Sequence, residues 1–196
     1  MPRVAILGWG SLLWDRRTLK ICGQWRSDGP LLPIEFARTS GLNNKEGKLP
    51  YLSLVLHPSA GLIRTYWDVS LLTKHRDDAI CDLRQREGCN LSCIAYLPRD
   101  GQPQCSIPGV EERILEWLNS KKGELDAVIW TNLRPKLKKR EVFTVEESIK
   151  WLDSLRKRKR HGRAEEYIRK APSQTDTCLR RQVRELFAWP DILIGF

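Results

Sequence analysis

The sequence has no long hydrophobic run: none of its apolar stretches approaches the roughly 18 residues that a membrane-spanning helix requires. The apolar stretch nearest the N-terminus is interrupted by two glycines, which is not the pattern of a secretory signal peptide. These absences predict a soluble, cytoplasmic protein without a membrane partner.

The sequence also has no cysteine or histidine spacing typical of a metal site. Its closest cysteines, Cys89 and Cys93, are separated by three residues, and none of the three histidines lies at ligand spacing from a cysteine. Without a secretory signal, a disulfide framework is not expected. We therefore expect reduced thiols, no metal and no other cofactor. The six cysteines are Cys22, Cys81, Cys89, Cys93, Cys105 and Cys178.

The composition is that of an ordinary globular domain. With 196 residues, 41% of them hydrophobic and 30% charged, the chain can bury a substantial core. Period-two patterns dominate the first half, whereas period-3.6 patterns dominate residues 144–196. We predict a single α+β domain over residues 1–196 with a helical C-terminal part, and leave its oligomeric state open.

The individual elements follow from these periods and from turn and cap residues. Strands are predicted at 4–7, 30–42, 51–58, 61–70, 89–97 and 127–133, with 61–70 as the hairpin partner of 51–58. Helices are predicted at 73–87, 110–123 and from about 145, where Thr144 and Glu147 form a capping box, with a break near Gly162. Asp176 is predicted to cap a last helix.

Positive charge is concentrated in one segment. The net charge is +10, and residues 133–163 hold twelve Lys and Arg against four Asp and Glu, in the clusters LRPKLKKRE and LRKRKRHGR. Such a segment attracts phosphates or other anionic surfaces, but it is also typical of a solvated helix face. Phe143 and Trp151 are the aromatic residues within it, and helix-stripe tryptophans such as Trp151 and Trp117 are more often core residues.

The first candidate site is the turn in VAILGWGSLLWD, where a short apolar strand ends at glycine. Glycine permits a positive φ and close approach of a ligand, so that successive N–H groups can surround an anion, with a serine hydroxyl as a further donor. The alternative is a tight turn in which the glycines serve geometry alone. The stretch lacks the G-K-[ST] of a phosphate loop and the third glycine of a dinucleotide fingerprint.

The second candidate is Glu87, in the last turn of the helix that ends DLRQREG. A carboxylate at the negative end of a helix dipole is disfavoured as an anion, which suits a general base. The alternative is a surface glutamate beside Arg84 and Arg86.

Together the two motifs, LGWGSLLW at 7–14 and LRQREG at 83–88, resemble the ChaC branch of the γ-glutamylcyclotransferase-like family. That branch has FGYGSLIW followed, about 75 residues later, by a helix ending in R-E. The resemblance covers roughly residues 3–100 and implies a small mixed β-barrel packed by helices.

The resemblance also implies the roles of the site residues. The turn residues would bind the α-carboxylate and amino end of a γ-glutamyl group; these are Gly8, Trp9, Gly10, Ser11 and Leu12. Glu87 would take a proton from the α-amino group, which then attacks the γ-carbonyl and releases 5-oxoproline. The substrate carries its own nucleophile, so this reaction requires no cofactor.

The chain departs from the family in two places. Trp9 replaces the family tyrosine, and LIRTYWDVS replaces the G-V-A-Y strand of members that act on glutathione. Tyr96 either lines the cavity or is a core aromatic, and Trp9, Trp14 and Trp67 are expected near the cavity.

Glu35 is predicted to lie on a strand among apolar neighbours, either as the ion-pair partner of Arg38 or as a pocket residue.

The sequence thus predicts an enzyme that cyclises a γ-glutamyl peptide or amine to 5-oxoproline, with the leaving group undetermined. The alternative is a non-enzymatic protein that binds nucleic acid or another anionic partner through residues 133–163.

Overall fold

The computed structural model describes residues 3–41, 49–72, 75–101, 107–137 and 144–192. The chain divides into two compact units, each built from two segments of the sequence. The first unit comprises Met1–Leu32 and Arg64–Leu133, and the second comprises Pro33–Ile63 and Arg134–Gly195. Among the described helices, none is both long and apolar enough to cross a membrane.

The described part of the chain contains seven strands and five α-helices. The strands are β1 (Val4–Gly8), β2 (Leu31–Ser40), β3 (Tyr51–Leu56), β4 (Leu62–Arg64), β5 (Tyr66–Val69), β6 (Ile94–Pro98) and β7 (Ala127–Thr131). The helices are α1 (Arg76–Glu87), α2 (Val110–Ser120), α3 (Val145–Lys157), α4 (Gly162–Lys170) and α5 (Cys178–Phe187), with a 3-10 turn at Leu91–Cys93. The α+β class is confirmed.

The first unit contains a four-stranded sheet of order β5-β1-β7-β6. β1 is central: it is antiparallel to β5, with Gly8 opposite Tyr66, and parallel to β7, with Ile6 opposite Ile129. All five residues of β1 are buried, as expected for a short apolar strand with neighbours on both sides and packing on both faces.

Helix α1 covers one face of this sheet. Ala79 and Leu83 are fully buried and belong to one hydrophobic cluster with Ile6 and Ile129. The helix ends where the sequence predicts, because Gly88 adopts a left-handed conformation with φ of 62° and donates to the carbonyls of Arg84 and Gln85. Its predicted residues 73 and 74 lie outside the described residues.

Trp67 lies opposite Leu7 on the strand next to β1, and its side chain has several structural contacts. It is fully buried and packs edge-to-face on Trp117 of α2 with ring centroids 5.4 Å apart. Its Nε1 donates to Asp28 Oδ1 at 2.7 Å. Hydrogen bonds from Lys121 and Trp67 outweigh the opposing effect of burial and hold the pKa of Asp28 below its ordinary value.

The second unit contains a three-stranded sheet of order β3-β2-β4, which corrects the predicted hairpin. Residues 61–70 do not pair with 51–58. They form β4, which pairs with β2, and β5, which pairs with β1. β2 is buried along most of its length and pairs with a strand on each side. The turn sequence between residues 56 and 62 does not reveal this pairing, because β2 lies more than ten residues away. The described pairings form two separate sheets, so the expected closed barrel is not confirmed.

The C-terminal helices begin near the predicted positions. Thr144 accepts a hydrogen bond from Glu147 N at 3.1 Å, as the capping box predicts, and the helix stops before Gly162. Trp151 and Trp117 are buried, as predicted. The last helix is capped by Thr177, whose hydroxyl accepts from Arg180 N; Asp176, the predicted cap, instead pairs with Arg181 and Arg184.

Glu35 is not the ion-pair partner of Arg38. Its carboxylate is 3% exposed and lies at the N-terminus of α5, where it accepts from Leu179 N at 3.3 Å and also from its neighbour Phe36 N at 2.8 Å. Arg38 donates to the carbonyl of Arg134. This carboxylate is therefore stabilised by the positive end of a helix, and not by the arginine that the sequence suggested.

Burial raises the pKa of Glu35, and its hydrogen bonds offset the rise only in part. The folded state therefore binds this proton more tightly than the unfolded state, so the stabilisation is present below the unfolded pKa and disappears as pH rises through the folded pKa. We expect wild type to lose unfolding free energy relative to Glu35→Gln as the pH rises from about 4 towards 7, because only wild type has to ionise the buried carboxyl group. Urea unfolding across this range tests it; parallel pH profiles for the two proteins would contradict it.

Candidate active site

The glycine turn connects β1 to a single helical turn. After the last residue of β1 the chain bends at Trp9 and Gly10, and residues 11–14 close a turn in which Leu13 N donates to Gly10 O and Asp15 N to Ser11 O. Trp9 and Leu12 are 6% and 5% exposed, so the turn is part of the folded core of the first unit.

The glycines of this turn do not act through a positive φ, contrary to the expectation from the sequence. Neither Gly8 nor Gly10 belongs to the described residues with positive φ. A Cβ at Gly8 would lie 3.0 Å from Leu13 Cδ2 and 3.1 Å from the Trp25 ring, so a larger residue at position 8 would require these two side chains to shift.

The turn nevertheless presents backbone donors. Among the described residues, the N–H groups of Gly10 and Leu12 have no hydrogen-bond acceptor, as expected at the start of a helical turn. Both residues are buried, and buried N–H groups normally have acceptors. A carboxylate or carbonyl oxygen of a ligand would satisfy them.

Arg86 joins the turn to the end of α1. Its guanidinium is 3% exposed and donates from Nη2 to Ser11 Oγ at 3.3 Å and from Nη1 to Glu87 Oε1 at 2.7 Å. Nε and Nη2 both donate to the carbonyl of Asp15, at 3.2 and 2.5 Å. The structure therefore brings together Ser11 and Glu87, which are 76 residues apart, on one buried cation.

The burial of Arg86 is a feature that the sequence analysis missed. The relevant signal is its position on the buried stripe of α1: Ala79, Leu83 and Arg86 follow each other at intervals of four and three residues, which places them on one helix face. A charged residue at such a position is either paired or functional.

Glu87 is largely but not completely buried. Its side chain is 17% exposed, so it is accessible from outside the protein while its charge is balanced by the adjacent guanidinium. A carboxylate held at a fixed position and partly open to solvent can accept a proton from a bound molecule.

Tyr96 lies on the same sheet but beside a different part of α1. It is partly buried against the hydrophobic cluster, and the guanidinium of Arg76 lies 5.6 Å from its ring centroid. Arg76 begins α1 and Glu87 ends it, a separation of about 16 Å along the helix axis. The described contacts of Tyr96 are those of a core aromatic, and a role in substrate binding stays a prediction.

The two cysteines that follow Glu87 most closely, Cys89 and Cys93, are both half-buried. Burial, together with Cys93 and the charge of Glu87, raises the pKa of the Cys89 thiol to about 11, so it carries a proton at neutral pH. All cysteines in the described ranges are free thiols, and within these ranges no three His, Cys, Asp or Glu residues are grouped as metal ligands. Cys105 lies outside the described residues.

A separate cleft of about 320 Å³ lies at the opposite end of β1, where Arg3, Asp68 and Ser70 contribute to its lining. The Asp68 carboxylate there accepts from Gly23 N and Val69 N, both at 2.7 Å. The hydrogen bonds of this carboxylate therefore connect two backbone segments. No residue of the glycine turn or of α1 is among the residues that line the cleft.

Comparison with known proteins adds no family assignment. A scan against protein-family models, a search of curated proteins and a search of solved structures each found no match to this chain.

The Arg86 network predicts a stability effect. Arg86→Met keeps much of the side-chain volume but leaves Ser11, Glu87 and the Asp15 carbonyl without their donor, so we expect a loss of about 2–4 kcal/mol in unfolding free energy. Arg84→Met changes an exposed arginine of the same helix and should cost less than about 0.5 kcal/mol. Equal losses in chemical unfolding would show that the network does not contribute.

Proposed function

We propose that the protein is a γ-glutamylcyclotransferase-like enzyme, which converts a γ-glutamyl amide to 5-oxoproline and a free amine. One observation carries this proposal: the Arg86 guanidinium contacts both Ser11 Oγ and the Glu87 carboxylate. The turn and the glutamate that the family resemblance pairs are therefore adjacent. The small mixed β-barrel that the resemblance implies and the cytoplasmic location expected from the sequence belong to the same proposal.

The glycine turn would hold the substrate by its α-carboxylate. The backbone N–H groups of Gly10 and Leu12 are suitable donors, and an anion there would satisfy both of them. Ser11 Oγ accepts from Arg86, and in this proposal its hydroxyl turns to the substrate carboxylate as a further donor. The remaining turn residues, Gly8 and Trp9, shape the backbone around these donors.

Glu87 would move the proton. The α-amino nitrogen of the bound substrate attacks the γ-carbonyl carbon, a C–N bond closes the five-membered ring, and Glu87 accepts the proton that the nitrogen loses. The same proton then passes to the leaving nitrogen as the original amide bond breaks, so the reaction requires no external acid. Orientation of two groups within one molecule supplies much of the rate enhancement.

The Glu87→Gln variant tests the reaction itself. On a panel of glutathione, other γ-glutamyl peptides and γ-glutamyl amines, we expect wild type to release 5-oxoproline from at least one compound, and Glu87→Gln to be slower by about 10²- to 10⁴-fold. The matched control is Glu116→Gln, at an exposed glutamate of α2. Absence of 5-oxoproline from every compound, or full activity of Glu87→Gln, would contradict the proposal.

Ser11→Ala tests the binding role of the turn. Loss of a hydroxyl donor to the substrate carboxylate should raise KM with little change in kcat, and lower kcat/KM about tenfold. Ser27→Ala, at an exposed serine, should leave both constants unchanged. Steady-state kinetics on the best substrate of the panel distinguishes the two; an unchanged KM in Ser11→Ala would exclude a carboxylate contact.

A further inference from the structure

A cluster of basic residues lies in the second unit at Arg156–Arg163, which we call the basic turn. Here α3 ends at Lys157 and α4 begins at Gly162. Lys159 adopts a positive φ of 54°, and Arg160 N donates to Leu155 O at 2.9 Å, so the backbone of the turn is closed. The side chains of Arg158, Lys159 and Arg160 are exposed on it.

The fold itself does not account for these three cations. Lys157 pairs with Asp153 at 2.8 Å, and cations in the last turn of α3 interact favourably with its dipole. Arg158, Lys159 and Arg160 lie beyond that turn and directly before the positive N-terminus of α4. Within the described ranges these three residues form no ion pair, so no described acidic side chain offsets their mutual repulsion.

Aromatic rings border the basic turn, and each is in contact with one of its basic residues. Arg156 lies over Phe187 at 4.5 Å, His161 stacks on Trp189 with an interplanar angle of 13°, and Arg163 lies over Tyr51 at 4.4 Å. These rings come from β3, from the end of α5 and from the residues that follow α5, so only the tertiary structure brings them to the turn.

Two of the neighbouring rings are partly exposed. Tyr51 and Tyr167 pack on each other with centroids 4.9 Å apart, and both retain solvent-accessible surface. Exposed cations beside partly exposed aromatic rings are the combination that single-stranded nucleic acids require, because phosphates interact with the cations and bases stack on rings, here by displacing the Arg163 side chain from Tyr51.

We propose that the basic turn binds single-stranded nucleic acid, with phosphates on Arg158, Lys159 and Arg160 and bases on the Tyr51 and Tyr167 rings. This site lies in the second unit and uses none of the residues of the proposed active site. It therefore requires neither Glu87 nor a γ-glutamyl substrate.

An acidic protein or an anionic membrane fits the same charges less well. An acidic protein has no requirement for stacking faces. Insertion into a membrane requires several exposed apolar side chains, and among the described residues of α3, α4 and α5 only Leu186 is a large exposed hydrophobic residue.

The test measures binding of the full-length protein to fluorescein-labelled oligo(U) and mixed-sequence DNA of about 12 nucleotides by fluorescence anisotropy over a series of salt concentrations. Substituting Arg158, Lys159 and Arg160 together by Gln should weaken binding at least tenfold. It should also reduce the slope of log K against log salt by about 2, because each lost phosphate contact contributes about 0.7. The matched control substitutes exposed Lys20, Arg113 and Lys122 by Gln and lowers the net charge equally.

A second arm tests stacking. Tyr51→Leu should weaken binding about fivefold or more, whereas Tyr51→Phe, which retains a ring, should bind like wild type. If Tyr51→Leu does not fold, comparison of wild-type affinity for single-stranded and duplex DNA decides the point, because bases in a duplex cannot stack on protein rings.

The proposal is overturned if wild type does not bind either oligonucleotide at about 0.1 M salt, or if the control variant loses as much affinity as the basic-turn variant. Equal affinity for duplex DNA, or binding to phosphatidylserine vesicles instead of oligonucleotide, also overturns it. Glu87→Gln should bind the oligonucleotide like wild type, so failure of one proposal is distinguishable from failure of the other.

Discussion

The buried guanidinium of Arg86 is the interaction on which the candidate active site depends. A charge that is 3% exposed is costly unless its hydrogen bonds are satisfied, and here a serine hydroxyl, a carboxylate and a backbone carbonyl all accept from it. Because these acceptors come from two segments distant in sequence, satisfying one cation also fixes the turn after β1 against the end of α1. The position of Glu87 relative to Ser11 is therefore a consequence of the energetics of burying Arg86.

The second unit also contains buried charged side chains, one of each sign. The buried Glu35 carboxylate is stabilised by backbone N–H groups at the start of α5. The fully buried Arg180, on the same helix, donates to the carbonyls of Ala171, Pro172 and Thr175. In both units a buried charge has main-chain groups among its hydrogen-bond partners, so each also fixes the path of the loop or helix end that supplies those groups.

These two groups of residues place different chemistry in different units. In the first, a cation, a carboxylate and unsatisfied backbone donors are buried together, which suits a small polar substrate. In the second, exposed cations of the basic turn adjoin aromatic rings, which suits a long flexible polyanion. The net charge of +10 is thus not evenly distributed along the sequence: much of it belongs to the one segment 133–163.

Local patterns in the sequence determined most elements of the fold: the buried strand that ends at Gly8, the helix that ends at Gly88 and the cap at Thr144 all depend on neighbours within a few residues. The predicted pairing of residues 61–70 with 51–58 and the predicted ion pair of Glu35 with Arg38 were wrong, and the burial of Arg86 was not predicted. Each depends on contacts between residues that the local sequence pattern does not specify. The two motifs indicated the chemistry of a candidate site. Only the tertiary structure decided that they are adjacent, since a hydrogen bond between Arg86 and Ser11 across 75 residues leaves no local pattern.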